Sequence, residues 1–253
     1  MTTDTEAAVF TPDEVLRIRA EAQNRRLGPL FVLCLDLGVR VGEALALRWA
    51  DVDFEAGTLA IQQGVVELHT DPAVLGDPKR LAALWEGDGE RRQLRRQYQG
   101  TKTAAGNRMW PLPPTTAATL RAWRERQAAE IDLARSEGAA GDDAGLVFTS
   151  HTGRPLSARN VARDWYALLA AAGVPKRKLH TTRHTAASRA LVDAGLSPVE
   201  AAAMLGHASP AVTMQVYAHM LDPGRAAAGA KVSAALQREA ERTRPGPTEA
   251  PPT

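Results

Sequence analysis

The sequence predicts a mainly α-helical fold with a small antiparallel β-sheet, an α+β class. Three observations carry this. Thr11-Pro12-Asp13-Glu14 and Ser197-Pro-Val-Glu200 are capping boxes, in which a hydroxyl and a carboxylate three residues apart satisfy the first orphan N–H groups of a helix. Pro29–Leu37 is apolar nearly all round except for Asp36, the pattern of a helix central to a core. Strand-like segments are few, short and confined to residues 52–68 and 108–112.

Residues 1–10 form a flexible N-terminus. Thr11 then starts a helix that runs to about Arg26, with Pro12 at its first position and Val15, Ile18 and Ala22 inward. The second helix, Pro29–Leu37, carries Cys34 as a small buried hydrophobe and stops at Gly38. Gly42–Trp49 is a third helix with Leu45, Leu47 and Trp49 on it. Val52–Phe54, Gly57–Ile61, Val65-Val66 and Arg108–Leu112 read as strands, the first two joined by a turn at Glu55-Ala56-Gly57. Residues 69–99 fit no sheet. Their Pro and Gly residues and the Glu90–Gln97 segment suggest an inserted basic loop with a short helix, and a connection this long has a function or moves. A long amphipathic helix follows from Thr115 to Ser136, broken by Gly138–Gly145, with a brief extended piece at Leu146–Phe148. Further helices are expected at Ser157–Ala172, Thr182–Ala194, Ser197–Leu205, Pro210–Tyr217 and Pro223–Glu239. Beyond Arg242 the tail, residues 243–253, is Pro-rich and expected to be disordered.

Composition narrows the class without settling the function. The 253 residues are 44% hydrophobic and 24% charged, ordinary for a globular protein, and the net charge of +2 does not announce a nucleic-acid binder. Local clusters matter more: Arg91, Arg92, Arg95, Arg96, Lys102 and Arg108 in one stretch, and Lys176, Arg177, Lys178, Arg183 and Arg189 in another. A single cysteine excludes an intrachain disulfide and a cysteine-based zinc site. The apolar run is too short to span a bilayer and the polar N-terminus is no signal peptide, so a cytoplasmic location is expected and no membrane partner.

The chemistry lies in four short motifs. Gly38-Val-Arg40-Val-Gly-Glu43 places an arginine in a turn between glycines that permit close approach, with Glu43 at i+3 to orient its guanidinium. His180-Thr-Thr-Arg183-His184 puts two imidazoles and a guanidinium on one face, or at the mouth, of a helix. The zinc-hydrolase version of such a His pair needs a Glu right after the first His, where this chain has Thr181, so no metal site is read. Leu205-Gly206-His207 is a glycine-capped helix end, and Tyr217 follows it. Each has an ordinary structural explanation: a surface turn arginine, a solvated basic helix, a capping histidine, a half-buried tyrosine.

Their order and spacing resemble the tyrosine recombinase (phage integrase) family, over residues 11–222. The resemblance implies a catalytic domain in which Arg40 and Arg183 clamp the scissile phosphate of DNA. His180 and His207 match the flanking phosphate and proton-transfer positions, and Tyr217 matches the nucleophile. Glu43 and His184 match supporting positions. In the family a lysine stands in a hairpin before a strand ending in Pro-Leu-Pro. Thr101-Lys102-Thr103, followed by Asn107-Arg-Met-Trp-Pro-Leu-Pro113, looks like that segment and selects Lys102 ahead of Lys79. The implied reaction cleaves and rejoins double-stranded DNA through a 3′-phosphotyrosyl link, with no cofactor or metal.

The family's helix after the tyrosine docks on a neighbouring subunit. Residues 223–242, with Val232, Ala235 and Leu236 at helical spacing, suit that role and imply a homo-oligomer, a tetramer on paired sites. Two departures stand out. The chain begins almost at the catalytic domain, so the usual N-terminal core-binding domain is expected to be absent. The insertion at 69–99 is expected to restore phosphate contacts through Arg91, Arg92, Arg95 and Arg96, with Arg108 a further DNA contact. Thr182 stands where the family commonly has Leu. The rival reading is a truncated relative that binds DNA, or regulates a full-length recombinase, without turnover. A type IB topoisomerase and a metal-dependent nuclease rank behind it.

Overall fold

A computed structural model describes residues 9–69, 94–100, 107–142 and 144–207. The expected N-terminal capping box is present: Glu14 N donates to Thr11 Oγ1 at 3.2 Å, and Thr11 N donates to the Glu14 carboxylate at 2.9 Å. It opens α1 (Pro12–Ala22), which ends short of Arg26. In α2 (Gly28–Leu37), Leu30, Phe31, Leu33, Cys34 and Leu35 have no exposed surface. This cylinder, apolar apart from Asp36, lies in the main core, as its hydrophobicity requires.

α3 (Val41–Ala46) stops before Trp49, because the following chain finds better partners elsewhere. Leu47 turns extended and its carbonyl accepts from Val147 N at 2.8 Å, while Trp49 N donates to Gly145 O at 2.9 Å. The strands are β1 (Val52–Asp53), β2 (Thr58–Ile61), β3 (Gln63–His69), β4 (Leu94–Gly100) and β5 (Arg108–Pro111). Among the described residues they form two antiparallel sheets, one in the order β1-β2-β5 and one of β3 with β4. Of the insertion expected at 69–99, residues 70–93 lie outside the described residues, and the structure differs at its two ends, where His69 closes β3 and residues 94–99 form part of β4. Leu94–Gly100 is neither loop nor helix but a strand paired along all of β3, from Gln63 opposite Gly100 to His69 opposite Leu94. The charge-rich sequence of β4 hides its strand character, and the register aligns Val65 with Tyr98 and Glu67 with Arg96.

The later helices are α4 (Pro114–Ser136), α5 (Ala158–Ala171), α6 (Thr181–Val192) and α7 (Pro198–Leu205). Along α4, Trp123 Nε1 donates to Val147 O at 2.6 Å. Gln127 Nε2 donates to the carbonyls of Leu146 and Val147 and to Thr149 Oγ1, and its Oε1 accepts from Trp49 Nε1 at 2.8 Å. These bonds fix the extended piece expected at 146–148. α7 starts with the second expected capping box, Ser197 with Glu200. Phe31, Trp123, Phe148 and Trp165 anchor the main core, and Phe10 packs edge-on against Trp165 at 5.9 Å. A second, smaller cluster joins α6 to α7 through Ala187, Ala190, Leu191, Ala201 and Leu205. The expected helices at Pro210–Tyr217 and Pro223–Glu239, the tail beyond Arg242 and residues 1–8 lie outside the described residues.

Candidate active site

Three motifs far apart in the chain meet around one guanidinium. Arg183, only 3% exposed, donates from Nη1 to Gly38 O at 2.8 Å and from Nη2 to Leu205 O at 2.5 Å. It thereby links the end of α2, which leads to Arg40, to the end of α7, which leads to His207. Packing makes the approach tight. Gly38 has φ +62°, and a Cβ there would lie 2.9 Å from Leu205 Cδ2 and 3.0 Å from Ala186 Cβ. A Cβ on Gly42 would lie 2.8 Å from Val65 O, so the turn carrying Arg40 rests on the backbone of β3. Both glycines are there for the close approach that their spacing suggests.

Arg40 stands at the N-terminal boundary of α3. Arginine has no acceptor, so only half of a capping box can form: Arg40 N donates to Glu43 Oε2 at 2.8 Å. Its side chain donates from Nη1 to Glu43 Oε1 at 2.8 Å and reaches Gly206 O from Nη2 at 3.5 Å. The expected i+3 orientation by Glu43 is therefore present. The Arg40 side chain is 42% exposed, against 7% for Glu43, so the cation faces outward from a buried support.

Arg108 sits differently from its expected place at a DNA backbone. Its guanidinium, 6% exposed, grips both oxygens of Glu43, with Nη1–Oε1 at 3.1 Å and Nη2–Oε2 at 2.7 Å. Burial pushes the Glu43 carboxyl up, but the hydrogen bond and charge of Arg108, then the bonds from Arg40, outweigh it and hold the group below the usual range.

His180 immediately precedes α6, and its ring meets His184 edge-on at 5.0 Å. Partial desolvation, then the charges of His184, Arg183 and Arg40, push His180 down to about 4. His207 follows Gly206, whose left-handed φ of 66° caps α7, and His207 N donates to Ala202 O at 3.0 Å. Desolvation comes first for His207 too, followed by Arg183, Arg40, Arg108 and His184, and it also falls to about 4. His184 is lowered by desolvation and Arg183. All three imidazoles are therefore neutral at pH 7, while the arginines keep the region positive. Thr182 is buried and donates from its hydroxyl to Leu179 O at 2.7 Å, which fits a polar residue where the resembled family carries Leu.

Arg40, Glu43, His180, Arg183, His184 and His207 thus gather in one region. Lys102, Tyr217, Arg91 and Arg92 lie outside the described residues, while Arg95 and Arg96 fall in β4. The second basic run is partly spent inside the fold: Arg177 pairs with Glu14 at 2.7 Å and covers the Phe10 ring, and Lys176 covers Tyr166. Among the described residues, no group of three or more His, Cys, Asp or Glu stands together to hold a metal ion. None of the described helices is long and apolar enough to cross a membrane.

The sequence model of the phage integrase family matches residues 86–223, more than half of the chain. The chain belongs to the phage integrase family. A XerC-like tyrosine recombinase of Caldanaerobacter subterraneus subsp. tengcongensis is 30% identical over 218 residues, covering 86% of this chain and 52% of that protein. An integrase of Saccharopolyspora erythraea is 29% identical over 243 residues, covering 84% and 54% respectively. The chain spans about half the length of these curated relatives. Among solved structures, the Tn1549 transposon integrase in complex with transposon right end DNA matches with a TM-score of 0.65 at 20% identity. That match covers 89% of this chain and 67% of the other. XerA recombinase matches with a TM-score of 0.56 at 20% identity, covering 94% and 64%. At such identities the likeness shows the fold, the mixed arrangement of helices and small antiparallel sheets found in tyrosine recombinases.

Proposed function

We propose that this integrase-family chain is the catalytic part of a site-specific recombinase, which cleaves and rejoins DNA strands through Tyr217. The observation that carries the reading is the double contact of Arg183, which brings the Arg40 turn, the His180–His184 helix and His207 to one positive, partly buried region. A phosphodiester is an anion, and guanidiniums bind its non-bridging oxygens in fixed, bidentate geometry. Their charge acts most where more negative charge develops, in the pentavalent transition state.

A free phenol with a pKa near 10 is ionised about one part in a thousand at pH 7, so attack needs a proton acceptor. His180, neutral at pH 7, shares the proton of Tyr217 as its oxygen bonds to phosphorus, and the nearby arginines favour the phenolate form. The P–O5′ bond breaks and Lys102 protonates the departing 5′-oxygen, general acid catalysis of a kind worth about two to four powers of ten. His207 donates a hydrogen bond to the phosphate. The ester then holds DNA by its 3′ end, and the 5′-hydroxyl of another strand reverses the steps and releases Tyr217. In the same reading residues 223–242 dock on a neighbouring copy, giving a tetramer on paired sites, and Arg91, Arg92, Arg95 and Arg96 contact phosphates.

The test uses nicked suicide duplexes of randomised sequence, incubated with the full chain in EDTA and resolved on denaturing gels. A covalent protein–DNA adduct with wild type, lost in Tyr217→Phe, is expected. Binding without any adduct would instead identify a DNA-binding regulator and sink the enzyme reading.

A further inference from the structure

Glu43 poses an electrostatic problem for its neighbour. A carboxylate bonded to Arg40 orients that guanidinium, yet it also cancels the charge that a phosphate needs to meet. We infer that Arg108 is a positioning residue for Arg40: by gripping both oxygens of Glu43 it balances the carboxylate's charge, so that Arg40 is held in place without being neutralised. The inference rests on reading Arg40 as a phosphate contact.

The geometry is specific. Glu43 Oε1 accepts from Arg40 Nη1 at 2.8 Å and Arg108 Nη1 at 3.1 Å, while Oε2 accepts from Arg108 Nη2 at 2.7 Å and Arg40 N at 2.8 Å. Four donors thus fill the four acceptor positions of one carboxylate. The parallel two-bond grip is Arg108's, whereas Arg40's side chain gives Glu43 one bond, reaches Gly206 O with its other terminal nitrogen at 3.5 Å and stays more open to solvent. Exposure divides the three in the same way: Glu43 and Arg108 are 7% and 6% exposed, and Arg40 is 42% exposed. A buried, internally neutral pair therefore supports an outward cation, and the trio carries one net positive charge. Replacing Arg108 by a neutral residue removes that charge and leaves Glu43 to be balanced by Arg40 alone. The contacts of Arg108 rank ahead of those of Arg40 in keeping Glu43 ionised, which agrees with this division.

The link also ties α3 to the sheet. Arg108 opens β5, where it pairs in register with Ile61 of β2, and Glu43 lies in α3. In sequence the proposed acid Lys102 lies just before β5. The orientation of Arg40 and the strand that follows Lys102 are therefore joined by one ion pair.

The test compares wild type with Arg108→Gln, Arg108→Lys, Glu43→Gln and the double variant Glu43→Gln/Arg108→Gln, folding being checked by circular dichroism. Two readouts are used: the single-turnover rate of adduct formation on the suicide duplex, and the affinity for inorganic phosphate followed on the His207 imidazole signals by NMR. Arg108→Gln is expected to slow cleavage by about 10²–10³-fold, the range for losing one charge-stabilising donor, and to weaken phosphate binding. Arg108→Lys should recover part of both. The double variant, free of an uncompensated carboxylate, should cleave at least about tenfold faster than Arg108→Gln alone, the reverse of additive damage. Arg108→Gln that matches wild type, or a double variant no faster and no tighter for phosphate than Arg108→Gln, overturns the inference. If Arg108→Gln does not fold, the double variant is compared with Glu43→Gln: near-equal rates and affinities support the inference, and a further large loss overturns it. A wild type that forms no adduct overturns the proposed function by itself, and the phosphate measurements then decide the role of Arg108. Wild type that does neither overturns both.

Discussion

Alanine at position 38 meets two penalties, and alanine at position 57 meets only one of them. Both glycines have φ +62°, a left-handed conformation that costs an L-residue about 1–2 kcal/mol. A Cβ at Gly57 would have nothing within 4 Å, whereas one at Gly38 presses on Leu205 at 2.9 Å and Ala186 at 3.0 Å, with Arg183 Cα at 3.7 Å. Neither contact can yield cheaply, since Leu205 is fully buried and Ala186 is 4% exposed. Overpacking of this kind adds about 1–3 kcal/mol. Gly57→Ala should therefore cost about 1 kcal/mol and Gly38→Ala about 3 kcal/mol. At a urea slope of about 3 kcal/mol per M, the midpoints fall by about 0.3 M and about 1 M. Function separates the two more sharply. Gly38 O supports Arg183, and a displacement of about 1 Å near a reacting centre can cost about a hundredfold in rate. Gly38→Ala should lose adduct formation on that scale, and Gly57→Ala should keep it. Equal midpoints for the two variants would refute the view that α2, α6 and α7 are in hard contact at Gly38.

Two further outcomes follow from the titration and hydrogen-bond pattern. His180 and His207 are lowered to about 4 when folded, below the value near 6.5 of an unfolded chain, so the unfolded state takes up protons first. Stability should fall between about pH 6.5 and 4 and flatten below. His180→Gln/His207→Gln should reduce that fall, and NMR midpoints near 6.5 in the DNA-free protein would contradict it. Gln127→Leu keeps the volume but strands Leu146 O, Thr149 Oγ1 and Trp49 Nε1. A loss of about 3 kcal/mol is expected by urea unfolding, at about 1–3 kcal/mol per orphaned group, and a loss under about 1 kcal/mol would show that these bonds are dispensable.

The features legible in the sequence are those whose chemistry is local. Thr11 with Glu14 and Ser197 with Glu200 announce helix starts because both partners sit within one turn, and Glu43 announces its grip on Arg40 for the same reason. Chain-distant partners are silent. α3 ends at Ala46 because Leu47 and Trp49 pair with residues about a hundred positions away. β4 reads as polar loop because its strand character lies in its register with β3 rather than in its composition. Among the proposed site residues, motif order singles out Arg40, His180, Arg183 and His207. It says nothing of the Gly38 and Leu205 carbonyls that hold Arg183, and it takes Arg108 for a surface cation.

Arg183 is held by carbonyls belonging to two separate packing units, the main core at Gly38 and the small α6–α7 cluster at Leu205. A chain in which either unit is missing supports that guanidinium from one side only. The position of the arginine therefore reports whether both units have folded, much as a lock turns only when two keys are in. If the protein breaks DNA as proposed, its phosphate-binding arginine is in place only where both clusters are packed, so the fold and the chemistry are completed together.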